Sequence, residues 1–562
     1  MPCPYKLTEP FSTLLVSPHA LTPPATILQK PRYIVKNYLS MGDRMYALWG
    51  SDKEEYDMKS ALLDYIRNKV GLKEDKILWS GYAEVDNFKK SDELEGILAS
   101  CVSPENTSFD SAERVKHSIG RSGKDYIPLI EKKDFRVVDA VIYPNEDEIR
   151  RLLQSRNKLL EIVPFGGGTT VTGGVSPSGS KKYSVSVDLE KLKALSVDKT
   201  NHILEAGTGL KGPEIEAELS KHGLTMGNFP ESFFYSTLGG WIATNAAGQE
   251  SNRYGKIKDM IIGLRMESPT GSYQDHVVPG ESAFFRLSDI AVGSEGAYGI
   301  VTKAWLKVHN KPERLFYNSY IFKSFGDGLE ALRERLSNDK IPMISRLSDE
   351  EETELSFMGI EDNFMTNLFK RYVSFRTHGI PGALLIAVSE KKEEIKFKGG
   401  ASLGSVPPKF WYRERYSRPY MYNELLKRGI IAETIETSAK WDGLDGIHKT
   451  TKMRFHEILE ELKLKGLIMC HSSHQYVTGS ALYFTFLFYS RDNREKALER
   501  IRDGIMENIL SRGGSISHHH GIGTAQSKYV KSYKGKMYEV AQGIKSQFDP
   551  DDTLVPGIIP PR

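Results

Sequence analysis

Pro164-Phe165-Gly166-Gly167-Gly168-Thr169-Thr170-Val171-Thr172-Gly173-Gly174 follows a short apolar run, Leu160 to Val163, that has the character of a buried strand. Three consecutive glycines after a strand bare a row of backbone N–H groups. Such a row can form an anion-binding nest, and Thr169 and Thr170 add hydroxyl donors. The stretch lacks both the G-x-G-x-x-G spacing of the dinucleotide fingerprint and the lysine of a Walker loop. Alone it admits two readings, a phosphate-binding loop or a glycine-rich turn.

The flanking sequence is α/β in pattern. Upstream, Val137 to Tyr143 is β-branched and ends at Pro144, and Glu146 to Lys158 has Ile149, Leu152 and Leu153 at helical spacing. Downstream come the strands Tyr183 to Leu189 and His202 to Ala206, then a helix over Leu210 to His222. The order β-α-β-loop-β-β-α predicts two small α/β lobes packed together. Further on, Pro230 to Gly248 holds Ser236 and Thr237 where a helix N-cap belongs, followed by the small residues Gly239, Gly240, Ala243, Ala246 and Ala247. A third small-residue segment, Gly293 to Ile300, leads into a strand over Val301 to Val308. Three such segments exceed what turn chemistry requires.

The remainder bounds the function. A chain of 562 residues holds two or three domains. Its net charge of +3, from 76 basic and 73 acidic residues, gives no pull toward nucleic acid or an anionic membrane. The cysteines, Cys3, Cys101 and Cys470, are odd in number and scattered, which argues for a reducing compartment without a disulfide framework or zinc cluster. No apolar run approaches the ~20 residues of a membrane span, so a lipid-like substrate would enter from a membrane surface. Residues 1–40 are proline-rich with Glu9 as the single acid and read as a loosely ordered arm, with Met41 or Met45 as an alternative start. No targeting signal is clear, and the terminal Ile-Ile-Pro-Pro-Arg is not of the S-K-L type. Met58 to Val70 is helical in pattern, Trp49 and Trp79 read as core anchors, and His117 reads as a ligand contact or a surface or capping residue.

The second landmark is Ser515-Ile516-Ser517-His518-His519-His520-Gly521-Ile522-Gly523. In an extended segment His518 and His520 share a face and His519 points away. Metal ligation is one reading, although no matching carboxylate or cysteine pattern accompanies it. Proton handling is the other. Histidine titrates near pH ~6.5, and cationic imidazoles would lower the pKa of a nearby tyrosine from ~10. Tyr483, on a buried strand over Leu482 to Phe488, is the candidate, and core packing is the alternative. Arg346, after the apolar Met343 and Ile344, is either a surface charge or an anion clamp.

The order and separation of P-F-G-G-G-T-T, P-E-S-x(3)-S-T-L-G-G-W and G-S-E-G-A-Y-G-I-V-T resemble the FAD-binding domain of the vanillyl-alcohol oxidase and p-cresol methylhydroxylase superfamily. The resemblance is close over about 137–310. It implies an α+β fold of α/β lobes with FAD held by three segments. The first is Pro164, Phe165, Gly166, Gly167, Gly168, Thr169 and Thr170. The second is Glu231, Ser232, Ser236, Thr237, Gly240, Thr244, Asn245 and Ala246. The third is Glu295, Gly296, Gly299 and Ile300. No histidine or cysteine adjoins the glycine loop to form an 8α link, so FAD is expected to be non-covalent. The implied organisation is an arm (1–40), a helical region (41–136), an FAD-binding domain (137–310), an α/β substrate cap (311–500), and a C-terminal segment (501–562) with the histidine loop and a closing helix over Val540 to Phe548.

S-x-S-H-H-H-G-x-G, Tyr483 before it, Arg346-Leu347-Ser348-Asp349 and Glu436-Thr437-Ser438-Ala439-Lys440-Trp441 are similar to the alkyldihydroxyacetonephosphate synthase family. That resemblance implies exchange of the acyl chain of acyl-dihydroxyacetone phosphate for a fatty alcohol in ether lipid synthesis, redox-neutral through an adduct at flavin N5. Tyr483 would be the base, His518, His519 and His520 would handle protons, and no metal is expected. Arg346 would shape the substrate site. The chain departs from the family at Pro419-Tyr420-Met421-Tyr422-Asn423, where Tyr422 stands at the position of a phosphate-holding arginine. It departs again at Thr524 to Ser527, where a basic residue is usual. Arg418, Lys528 or His471 is then expected to substitute, or the substrate is not a glycerone phosphate. An FAD-linked oxidase or dehydrogenase of a hydroxy acid or alcohol is the alternative. A homodimer, peripheral membrane contact and no nucleic-acid partner are expected. So is a peroxisome or related organelle if the source is eukaryotic, or the cytoplasm or its membrane face if prokaryotic.

Overall fold

The computed structural model describes residues 44–557, apart from 54, 55, 57, 87, 339, 359–370 and 378–380. The expected N-terminal arm and the terminal Ile-Ile-Pro-Pro-Arg lie outside the described residues.

The glycine loop leaves the carboxyl end of the strand Leu160–Phe165. That strand lies at the edge of a four-stranded sheet ordered Thr107–Ser108, Ala140–Ile142, Tyr183–Asp188, Leu160–Phe165, the last three parallel. Ala140–Ile142 and Leu160–Phe165 flank Tyr183–Asp188 in the same direction, and the passage from one to the other needs a crossover. The helix Glu146–Gln154 supplies it, capped by Asn145 with Glu148 in a reciprocal capping box and burying Ile149, Leu152 and Leu153. The outer edge of Leu160–Phe165 is closed by a distant segment. The Ile162 amide donates to Thr553 O at 2.8 Å and the Val555 amide donates to Ile162 O at 3.0 Å.

The second lobe differs from the expected α/β form. Its five strands, ordered Gly271–Gln274, Ile261–Ser268, Ile300–Lys307, Ile203–Gly207, Leu195–Asp198, are all antiparallel. Tight turns at 199–202 and 269–270 join two of these pairs, too short for a parallel crossover. The helix Leu238–Thr244 is capped by Thr237, whose hydroxyl accepts from the Gly240 amide at 3.3 Å.

A seven-stranded antiparallel sheet forms the rest. Its order is Ala401–Gly404, Phe316–Phe322, Ala383–Ser389, Ile344–Ser348, Gly466–Tyr476, Gly479–Tyr489, Ile430–Lys440. Strand alternation gives its central strands two faces. Leu347, Cys470, Leu482, Phe484, Phe486 and Ile435 share a core with residues of the long helices Trp441–Glu461 and Arg494–Ser511. Complete burial of each phenylalanine contributes roughly 1.5–3 kcal/mol. On the opposite face, Met469 and Leu487 are covered by Leu62, Leu63 and Ile66 of the helix Ser60–Val70. Beyond that helix the same face carries His471, Tyr483 and Glu436, paired in register across three strands. The apolar cover ends where the polar residues begin.

Trp79 is buried in the main core, as expected of a core anchor, whereas Trp49 is buried outside the hydrophobic clusters, on a cavity wall; Cys101 and Cys470 are buried free thiols. His117 is not a surface residue, and it is absent from the lining of the cavity beside the glycine loop. It caps the helix Ser111–Lys116, is fully buried, and holds Asp188 at 2.9 Å through Nε2. No described helix is long and apolar enough to cross a membrane.

Candidate functional site

A cavity of about 300 Å³ joins the glycine loop to the open face of the seven-stranded sheet. The loop glycines are fixed by close approach. A Cβ on Gly167 would sit 2.1 Å from Tyr235 O, and one on Gly166 would sit 2.3 Å from Thr237 Oγ1. Gly168 has φ +61°, a region that favours glycine. Among the described residues the amides of Gly167 to Val171 donate to no protein acceptor. The loop therefore presents a row of free donors against the capped end of Leu238–Thr244.

The three motif segments all reach this cavity. Pro164 to Thr170, Glu231, Ser232, Ser236, Thr237, Gly240, Thr244, Ala246, Glu295, Gly296, Gly299 and Ile300 line it. Asn245 does not. It ends its helix in the left-handed conformation at φ +51°, with its buried Oδ1 lacking a protein partner. Glu295 has a second duty, accepting from the amides of Ile522 at 2.5 Å and Gly523 at 2.9 Å. Burial, only partly opposed by those two bonds, pushes its carboxyl up to about 7. This carboxyl ties the third motif to the end of the histidine loop.

At the sheet end, Tyr483 stands within a group of imidazoles. Its ring stacks on His471 at 4.8 Å and His519 at 6.0 Å and meets His520 edge-on at 5.3 Å. The extended-strand expectation for the histidine run fails. One carboxylate, Glu436, accepts from the amides of His518 at 2.6 Å, His519 at 3.0 Å and His520 at 3.1 Å, and from Ser517 Oγ at 2.7 Å. Three consecutive amides converging on one acid make a nest, not an alternating strand. His519 and His520 therefore both line the cavity, while His518 turns away and receives Tyr476 OH at 2.6 Å from its Nε2. Lys256 Nζ donates to the His518 carbonyl.

The electrostatics reverse another expectation. Burial pushes His518 and His519 well below the ordinary imidazole range, and His520 down less steeply because Glu436 opposes the shift. Burial, then the nearby Glu231 and Tyr422, push the Tyr483 phenol well above 10. The imidazoles are neutral and so cannot draw the phenol down. The site holds a phenol beside neutral proton acceptors.

The charged residues of the cap form one buried group. The Arg346 guanidinium lies 3.0 Å from both ring nitrogens of His471 and donates to Glu352 Oε1 at 2.6 Å. Arg418 donates to the same oxygen at 2.5 Å. The two arginines and His471 hold the Glu352 carboxyl well below the usual carboxylate range despite its burial. Burial pushes Glu231 up against the pull of Arg418 and Arg346. Burial, followed by Arg346, pushes His471 down to about 4. Arg346 is thus a buried, ion-paired residue and not a surface charge. Tyr422 lines the cavity, with burial pushing its phenol up to about 12, whereas Arg418 does not line it. Lys528 is excluded as a substitute cation because it pairs with Asp503 on the exposed side of Gly523–Lys534.

The carboxylate that the sequence did not match to the histidines is Glu436. Its ligand atom and those of His518 and His519 lie within 4.8 Å of one another. Its oxygens already face three amides and a hydroxyl. Sequence reasoning missed this holding role, and it missed His474, whose ring contacts His518 at 5.2 Å and His519 at 5.0 Å. Trp49 and Arg121, which also line the cavity, were not assigned to it.

Two family models match the chain, the FAD binding domain over 138–275 and the C-terminal domain of FAD linked oxidases over 311–559. The chain is 31% identical to alkyldihydroxyacetonephosphate synthase of Dictyostelium discoideum, over 84% of this chain and 81% of that protein. It is 32% identical to the Trypanosoma brucei brucei enzyme of the same name, over 84% and 80%. A solved alkyldihydroxyacetonephosphate synthase superposes with a TM-score of 0.76 at 26% identity, covering 91% of this chain and 98% of that one.

Proposed function

The chain belongs to the alkyldihydroxyacetonephosphate synthase family of FAD-linked proteins, and from that premise we propose that it is an FAD-dependent transferase of ether lipid synthesis. It exchanges the acyl chain of acyl-dihydroxyacetone phosphate for a fatty alcohol. The observation that carries this reading is Tyr483, ringed by His471, His519 and His520 in the cavity that the glycine loop also lines.

The residues present fit FAD. The free amides of Gly167 to Val171 suit a pyrophosphate, and the buried, unpartnered Oε1 of Gln249 on the cavity wall suits a donor on the cofactor. Bound FAD supplies an electron sink that takes and returns an electron pair, which leaves the overall exchange redox-neutral. Tyr483 removes the proton from the carbon that bears the ester. Its own proton must first leave, and His520, the least depressed of the three imidazoles, is the acceptor beside it. The ester C–O bond breaks with departure of the fatty acid. The alcohol oxygen then bonds to that carbon, its proton passes to the histidine cluster, and Tyr483 returns the carbon-bound proton. Glu436 and Glu295 keep the histidine loop in place, and Arg346 with His471 shapes the wall opposite.

Purified protein given acyl-dihydroxyacetone phosphate and a long-chain alcohol should release fatty acid and form the ether without net flavin reduction. Tyr483→Phe should abolish exchange and retain FAD; normal exchange in that variant would remove Tyr483 from the chemistry. Bleaching of the flavin band near ~450 nm by a 2-hydroxy acid would favour the oxidase reading instead. The cap assignment of 311–500, non-covalent attachment of FAD, a homodimer, contact with a membrane surface and a peroxisome-type location in a eukaryote belong to the same proposal. Acid precipitation, sedimentation, vesicle flotation and microscopy of a tagged chain test the last four in turn.

A further inference from the structure

We propose that Arg121 is the residue that holds the phosphate of the substrate. The inference rests on the proposed function for the identity of that phosphate. The cavity wall contains two cationic side chains among the described residues, Arg121 and Arg346. Arg346 is held through both terminal nitrogens by Glu352 and His471, which leaves only its buried Nε without a partner. The neighbouring arginines are consumed as well: Arg418 by Glu352, Arg415 by Glu250, Arg502 by Glu433, while Lys256, which is not on the cavity wall, donates to the His518 carbonyl. Arg121 differs. No described carboxylate lies within ion-pair distance of it, and its single protein hydrogen bond from the side chain runs from Nη1 to the Gly120 carbonyl at 2.9 Å. Its other guanidinium donors are open to the cavity.

Arg121 is also fixed where a phosphate would need it. Its backbone amide donates to Thr170 O at 2.7 Å, which anchors it to the glycine loop. Its guanidinium lies over the Trp49 ring at 5.6 Å. Trp49 is in turn pinned by Asn423, which accepts from the Trp49 amide at 3.1 Å and donates to its carbonyl at 2.8 Å. Asn423 follows Tyr422, a phenol that cannot pair with an anion as a cation does. The chain therefore brings a stacked guanidinium with no described carboxylate partner to the cavity wall beside Thr170, and the Trp49 backbone ties that wall to the segment that carries Tyr422. A guanidinium offers two parallel donors to a phosphate, and stacking on an indole restricts its orientation beforehand.

Arg121→Gln and Arg121→Lys, each checked for flavin content and melting temperature, test the assignment by two routes. The first is binding of inorganic phosphate and of dihydroxyacetone phosphate to the FAD-loaded protein, followed by the flavin spectrum. Arg121→Gln should weaken dihydroxyacetone phosphate roughly ten- to a hundredfold, with partial recovery in Arg121→Lys and wild-type flavin content in both. The second route is exchange, where KM for acyl-dihydroxyacetone phosphate should rise by a similar factor with little change in kcat. Lys528→Ala serves as the surface control and should change neither. Unaltered phosphate binding in Arg121→Gln would overturn the proposal. So would loss of FAD with unaltered phosphate affinity, which would assign Arg121 to the cofactor. If the wild-type protein shows no exchange, the transferase reading fails, while the phosphate-binding arm still decides for or against Arg121.

Discussion

Replacing Glu436 by glutamine isolates the one group that shapes the histidine loop. The carboxylate receives four donors, the amides of His518, His519 and His520 and the Ser517 hydroxyl. Glutamine keeps the size but turns one acceptor oxygen into an NH2 group that faces donors. Oε1 takes three of the four donors and Oε2 one, so the amide keeps its oxygen toward the three and loses the bond from the His518 amide. Bonds to a charged acceptor contribute ~1.5–3 kcal/mol each and neutral ones ~0.5–1.5, so losing one and weakening three costs ~4–7 kcal/mol gross. Backbone relaxation recovers part, leaving about 2–4 kcal/mol, a shift of roughly thirty- to a thousandfold in the population of the ordered loop. Hydrogen exchange of a peptide spanning 515–523 should accelerate accordingly, and kcat for acyl exchange should fall at least tenfold. FAD content should hold, because Glu436 is on the sheet side and the glycine loop is untouched. Glu436→Gln with wild-type turnover and unchanged protection of those amides would refute the claim that this carboxylate organises the site.

Gly167→Ala should lose FAD, since the added methyl would meet a backbone carbonyl at 2.1 Å; retention of FAD on a desalting column would contradict this. Gly446→Ala is the matched control, because nothing lies within 4 Å of the new methyl in its exposed helical position, and it should stabilise by ~0.5–1 kcal/mol in thermal unfolding. Acid should destabilise the protein through His471, whose folded value of about 4 lies below the unfolded one. The unfolded chain then binds more protons, so stability is lost as pH falls from about 6.5 toward 4, by on the order of 3 kcal/mol for this residue. Glu295, raised to about 7, acts oppositely: its folded form keeps a proton that the unfolded chain sheds, so its term weakens stability as pH rises from about 4.5 to 7. A melting series across pH 4.5–7.5 for the wild type and Glu295→Gln should show the difference between the two curves growing in that direction.

The cofactor side of the molecule was legible because its chemistry is local. Glycines at 166–168, the Thr237 cap and the small residues after it can be read from neighbours in sequence, and they met in one cavity. The acid–base side was legible in its residue types but not in its geometry. Period-two alternation placed His519 opposite its neighbours, and it failed because Glu436, some eighty positions earlier, gathers the three amides into a nest. His474 was missed for a related reason. Counted from His471 it falls on the wrong face of its strand, but the register shifts between Ser473 and Tyr476, and His474 sits at φ +55°, which turns the ring into the cluster. The charge states were misjudged because a sequence shows the number of imidazoles and not their depth. Burial outweighed mutual proximity and left them neutral.

The closure of the Leu160–Phe165 edge by Thr553 and Val555 bears on the order in which the protein is made. The glycine loop and its strand leave the ribosome early, yet the partner that satisfies Ile162 is translated hundreds of residues later. Until then the first lobe carries an open parallel edge next to an incomplete cofactor cradle, a surface prone to pairing with other nascent chains. Stable loading of FAD should therefore be a post-translational event, and trimming the chain before Thr553 should harm flavin retention although no cradle residue is removed.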